Sequence, residues 1–469
     1  MTRFDPSGPL RGSLRPPSDK SISHRAALIA AMGEGETVVE GYLDAADTRS
    51  TLAAVRALGA EVTAAGSTFS AIPGESRPSD AGAPAALRIR GVGLRGPRPA
   101  QIDVGNAGTL LRLLPGWLAG QDGGSWTLDG DDSIRQRPVD RIAVPLRQMG
   151  AQLSCREERL PPLEVEGSPL QGITYEMPIA SAQVKSCLLF AGLLAEGKTR
   201  IVEDLPSRDH TERMLAAAGA DVERHAGEGA GMSAENAPGD RSRGHDDARP
   251  TEIVLHPATR LEPGEIAVPA DISSAAFFVV AALLVSGSEV TLDDVGINPT
   301  RTGLLAILER MGAGVEIEPL GERGGEPTGR LRVRPAPLRG TEVGGAEIPL
   351  AIDELPLVAL AACFAEGTTT IRDAAELRRK ESDRIETVTT ALTALGGEVE
   401  ATEDGMVIAG TGGLRGGAID SHGDHRIAML GAVAGLASSE GVEVHGMDAA
   451  AVSYPGFESD LVALLNPRA

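Results

Sequence analysis

One pattern returns six times along this chain: a short apolar helix of small residues, a glycine turn, then a strand of alternating residues. The copies are ALIAAMGEGETVVEG (27 to 41), LLPGWLAGQDGGSWTLDG (113 to 130), LLFAGLLAEGKTRIVED (188 to 204), VVAALLVSGSEVTLDD (279 to 294), ALAACFAEGTTTIRD (359 to 373) and AVAGLASSEGVEVHG (432 to 446). A second marker, a helix end followed by glycine and a strand, appears as ALGAEV (57 to 62), QMGAQL (148 to 153), AAGADV (217 to 222), RMGAGVEI (310 to 317) and ALGGEV (394 to 399). Glycine there suits the left-handed cap that ends many helices. Units this small must stack on neighbours to bury a core, and 469 residues exceed what one core holds. The pattern therefore predicts an α/β protein of two similar halves with three units each.

What precedes each apolar helix is as regular as the helix. The segments are SDKSISHR (18 to 25), VGNAGTLLR (104 to 112), IASAQVKS (179 to 186), PADISSAAF (269 to 277), LAIDELP (350 to 356) and SHGDHRIAM (421 to 429). Each sets polar or ionic groups at a helix start, where free backbone N–H groups and the positive end of the helix dipole attract anions. If the three helices of each half run parallel, their starts share a face. Two such faces across a hinge would line a cleft for a substrate with several negative charges.

The overall charge runs the other way. A formal net charge of −22 disfavours nucleic acid and anionic membranes, so an anion must be drawn by local clusters of cations. Cys155, Cys187 and Cys363 show no metal-ligand spacing and are too few for a disulfide scaffold, which fits a reducing cytoplasm. No apolar run reaches the length of a membrane span. The segment from 226 to 250, rich in glycine, proline and charge, reads as a mobile insertion.

Several clusters can bind or move protons. Lys20, Ser21 and Arg25 surround a helix start that Ser18 or Asp19 can cap. VGNAGT offers Asn106, Gly108 and Thr109, with glycine allowing close approach to an anion. Arg135, Arg137 and Arg141 supply guanidinium forks, while Ser181 and Gln183 suit hydroxyls or simply cap a helix. Lys380, Glu381 and Arg384 fall within about one helical turn. Asp353 is expected to open one helix, and Asp424, His425 and Arg426 another. A carboxylate among cations stays ionised and can accept a proton at neutral pH. No nucleophile elbow, Walker loop, zinc motif or dinucleotide fingerprint appears in context.

These motifs, in this order, resemble the EPSP synthase family of enolpyruvyl transferases over nearly the whole chain, the 226 to 250 insertion excepted. The resemblance implies a two-domain inside-out α/β barrel built from six βαβαββ repeats, three per domain. The domains would be 21–267, and 1–20 with 268–469, crossing over near Lys20 and Ala267. It also implies transfer of the enolpyruvyl group of phosphoenolpyruvate to shikimate 3-phosphate, without metal or cofactor, by a cytoplasmic monomer. Carried over by motif, Lys20 would touch both substrates and help manage protons. Ser21, Arg25, Ser181, Gln183 and Ser207 would bind shikimate phosphate, and Gly108, Arg137, Lys380, Arg384 and Arg426 would surround phosphoenolpyruvate. Asp353 would take the 5-hydroxyl proton and Glu381 would donate to C3. Gly108 implies sensitivity to glyphosate, a competitor for the phosphoenolpyruvate pocket.

The chain has Ala182 where many family members have a second serine, Val452 where some have a phosphoenolpyruvate-binding lysine, and Glu376 where some have asparagine. Lys185 is a candidate to replace the missing cation. The nearest rival is the sister transferase acting on UDP-N-acetylglucosamine, which carries a cysteine in a mobile loop and lacks SISHR. A non-catalytic anion-binding repeat protein would explain the cations but not the company of Asp353 and Glu381.

Overall fold

The computed structural model describes residues 1–65, 85–225 and 250–467, so the insertion assigned to 226–250 lies, Pro250 apart, outside the described residues. The chain divides into two compact units, Lys20–Val268 and Met1–Asp19 with Pro269–Ala469. Each has its own apolar core.

Each of the six copies is a helix followed by a strand. In the unit Lys20–Val268 the pairs are Lys20–Met32 with Glu36–Tyr42, Gly108–Ala119 with Ser125–Asp129, and Ala182–Gly192 with Thr199–Glu203. In the other unit they are Ile272–Leu284 with Glu289–Gly296, Leu355–Cys363 with Thr368–Ile371, and His425–Ala437 with Val442–His445. The five helix-glycine-strand markers also form. Gly59, Gly150, Gly219, Gly312 and Gly396 all have φ between 89° and 108°, the left-handed conformation that an L side chain rarely adopts.

Among the described residues the strands form six sheets, three per unit. Ser125–Asp129 shows the common plan. It pairs in parallel with Ala100–Asp103 and antiparallel with Leu160–Glu166, which then pairs antiparallel with Gln152–Arg156. Four other sheets repeat this order, and the sixth, Gly417–Asp420, Val442–His445 and Thr2–Phe4, has three strands. Distant strands complete the first copy in each unit: Glu265–Ala267 pairs with Glu36–Tyr42, and Arg11–Leu14 with Glu289–Gly296.

The apolar helices are buried on nearly all sides, as Ile22 to Met32 illustrates. Small residues allow this by letting backbones touch. A Cβ on Gly116 would lie 2.0 Å from the Cys187 carbonyl oxygen, so the helices Gly108–Ala119 and Ala182–Gly192 meet without an intervening side chain. That contact places Gly108 and Arg112 beside Gln183. No helix among the described residues is long and apolar enough to cross a membrane.

Candidate active site

In the unit Lys20–Val268, polar side chains at three helix starts form one connected set. Lys20 begins its helix, and its ammonium lies 3.1 Å from Asp47. Burial pushes the Asp47 carboxyl up, but Lys20, His24 and Arg137 outweigh it and hold the pKa below the usual value. Arg137 donates to Asn106 Oδ1 at 2.6 Å, and Asn106 in turn donates to Asp131. Gly108 sits between two guanidinium groups: a Cβ there would lie 3.0 Å from Arg137 Nη1 and 3.1 Å from Arg112 Nη1. Arg112 donates to Gln183 Oε1 at 3.2 Å, and Gln183 Nε2 donates to Thr109 Oγ1 at 3.3 Å.

The remaining residues of this set are held from beneath. Ser181 caps the helix Ala182–Gly192 by accepting from the Val184 N–H. Arg25 is buried, donating to Thr211 Oγ1 at 2.7 Å, Ser186 Oγ at 2.9 Å and the Ser21 carbonyl at 3.0 Å. Ser207 donates its hydroxyl to Glu203.

Lys185 corrects an expectation. It was a candidate to supply a missing phosphate cation, yet it is buried between Glu203 at 2.8 Å and Glu212 at 2.7 Å. Its charge serves those carboxylates.

In the other unit, Asp353 gathers three cations: Arg384 at 3.3 Å, Lys380 at 3.4 Å and Arg426 at 3.8 Å. Arg384 is 1% exposed and also binds Glu381 at 2.6 Å and Asp424 at 2.9 Å. Burial lowers the Arg384 pKa, but the three carboxylates raise it more. Asp424 shows the converse: burial pushes it up, and Arg384 brings it below the usual range. Asp424 also caps the helix His425–Ala437 by accepting from the Arg426 N–H at 2.9 Å.

Two local expectations differ in this unit. Lys380 and Glu381 do not share a helical turn with Arg384. A 3-10 segment, Ala375–Arg379, ends at Lys380 in an extended conformation, and Asp383 then caps a new helix, Arg384–Ala394. Asp353 likewise lies outside its helix, one residue before the cap position of Leu355–Cys363, which is Glu354.

Sequence reasoning missed Asp47, Arg112, Glu203, Glu212 and Thr211. Arg112 alone left a signal, standing one helical turn after Gly108. Among the described residues, Asp221, Glu223 and His256 have ligand atoms close enough to share a metal ion; they lie at the surface, and His256 already meets both carboxylates at 3.8 and 3.3 Å.

Cations and carboxylates at helix starts define sites for acid–base chemistry on a small anion. The sequence profile of EPSP synthase (3-phosphoshikimate 1-carboxyvinyltransferase) matches residues 4–242 and 245–461. The chain is 47% identical over 462 residues to the 3-phosphoshikimate 1-carboxyvinyltransferase of Synechococcus sp. (strain RCC307), covering 97% of each. It is also 47% identical over 455 residues to that of Methylococcus capsulatus, covering 96% of this chain and 94% of that one. A solved EPSP synthase from Acinetobacter baumannii superposes with a TM-score of 0.79 at 40% identity, covering 98% of this chain and 97% of that one. The chain belongs to the EPSP synthase family.

Proposed function

We propose that this chain transfers the enolpyruvyl group of phosphoenolpyruvate to the 5-hydroxyl of shikimate 3-phosphate. The products are 5-enolpyruvylshikimate 3-phosphate and inorganic phosphate, on the route to chorismate and the aromatic amino acids. Family membership over the full length supports this. The observation that carries it is the Asp353 cluster, where two carboxylates, Asp353 and Glu381, bind one buried arginine.

In this reading Asp353 takes the proton of the 5-hydroxyl as its oxygen bonds to C2 of phosphoenolpyruvate, and Glu381 delivers a proton to C3. The tetrahedral intermediate then expels phosphate as a C3 proton returns to Glu381, and the electrons of that C–H bond restore the double bond between C2 and C3. Lys380, Arg384, Arg426, Arg137 and Gly108 serve phosphoenolpyruvate. Ser21, Arg25, Ser181, Gln183 and Ser207 serve shikimate 3-phosphate, and Lys20 serves both. We read the six sheets as six βαβαββ repeats in an inside-out α/β barrel whose two domains are the two units, in a cytoplasmic monomer that needs no cofactor and is inhibited by glyphosate.

The cysteines argue against the sister enzyme. Burial pushes the Cys187 and Cys363 thiols up, Cys363 to about 12, which leaves them poor nucleophiles. Phosphate release from shikimate 3-phosphate with phosphoenolpyruvate tests the proposal. Release with UDP-N-acetylglucosamine alone as acceptor would overturn it.

A further inference from the structure

We infer that Lys185 and Glu203 are positioning residues for substrate, fixing Ser207 at the start of the helix Ala182–Gly192. This rests on the reading above in which Ser207 binds shikimate 3-phosphate. Lys185 stands one turn beyond Ser181, its N–H donating to the Ser181 carbonyl at 3.0 Å. Helical side chains tilt toward the N-terminus, so its ammonium returns to the end that Ser181 caps. Three oxygens meet it there: Glu212 Oε1 at 2.7 Å, Glu203 Oε2 at 2.8 Å and the Ser207 carbonyl at 3.3 Å. The contacts to Glu203 and to the Ser207 carbonyl are hydrogen bonds, and Glu212 adds an ion pair.

The second oxygen of Glu203 accepts the Ser207 hydroxyl. Ser207 is thus gripped twice, at its carbonyl by Lys185 and at its hydroxyl by Glu203. Ser207 itself lies in the irregular link between the strand Thr199–Glu203 and the helix His210–Ala217. Burying three charges in this way is costly, and apolar residues of similar size are often as stable or more so. Burial pushes Glu212 above its usual range even beside Lys185. The ion cluster is better explained by the geometry it imposes. It also lets Ser207 work: to donate to a phosphate oxygen the hydroxyl must leave Glu203, and Lys185 then keeps that carboxylate partnered.

Steady-state kinetics with each substrate varied, and calorimetric titration with shikimate 3-phosphate, test the inference. Ser207→Ala and Glu203→Gln should each raise KM for shikimate 3-phosphate about tenfold, with kcat and KM for phosphoenolpyruvate within about twofold of wild type. The double variant should be no worse than Ser207→Ala alone, since residues acting through one contact are not additive. Lys185→Met should behave like Glu203→Gln; if it does not fold, Glu203→Gln decides. A defective Ser207→Ala beside a normal or additive Glu203→Gln overturns the positioning role alone. A normal Ser207→Ala overturns the inference by removing its target, and an inactive wild type overturns the proposed reaction instead.

Discussion

The two units hold the guanidinium groups of their candidate sites on different partners. In Lys20–Val268, Arg137 rests on Asn106, Arg112 on Gln183 and the Gly108 carbonyl, and Arg25 on two hydroxyls and a carbonyl. In the other unit Arg384 rests on three carboxylates and Arg426 on two. Neutral oxygens fix an arginine without cancelling its charge, whereas carboxylates do both. The first arrangement suits capture of a dianion. The second suits keeping carboxylates ionised for proton transfer.

The sharpest break of this comparison is Asp353→Asn, which keeps the shape and removes the base. Turnover should fall about 10²–10⁴-fold in a phosphate-release assay; near-normal kcat would move proton chemistry out of this cluster. Arg384→Met should come next, leaving Glu381, Asp353 and Asp424 without their shared cation at a cost of about 3–5 kcal/mol, seen as a lower denaturation midpoint. Arg137→Met should leave that midpoint almost unchanged while weakening substrate binding. Equal losses of stability would erase the distinction between the units.

Gly108→Ala tests the crowding between Arg137 and Arg112, which a Cβ would meet at 3.0 and 3.1 Å. KM for phosphoenolpyruvate and the half-inhibitory glyphosate concentration should both rise about tenfold. Inhibition unchanged from wild type would show that glyphosate does not approach Gly108. The smallest effect concerns Asp47, whose folded pKa lies below the ordinary 3.8. A depressed carboxyl contributes stability above its unfolded pKa and loses it as pH falls through the folded one. Asp47→Asn should thus lower the midpoint at pH 7, by about 1 kcal/mol or less, and match wild type in strong acid. A gap that persists at low pH would detach Asp47 from Lys20.

Local order along the chain made much of this legible. The helix, glycine and strand of each copy depend on neighbours in sequence, so the six pairs and the left-handed glycines could be read directly. Asp424 beside Arg426 was legible for the same reason. Lys185 was not, because its fate depends on Glu203 and Glu212, one on a strand and one on the next helix. Spacing shows which face a residue shares, not what is packed over that face. Lys380 and Glu381 misled differently: Asp383 caps Arg384–Ala394, and a strong cap three residues after Lys380 breaks the continuous turn that charge spacing suggested.

Gly116 bears on how such a protein can drift in sequence. Where two helices touch backbone to backbone, their separation is fixed by atomic radii and does not depend on which side chains fill the layers around them. Residues elsewhere in that apolar layer can exchange without altering the span that Arg112 and Gln183 bridge. Recognition and core composition are then inherited almost independently, with one hydrogen atom at Gly116 as the gauge between them.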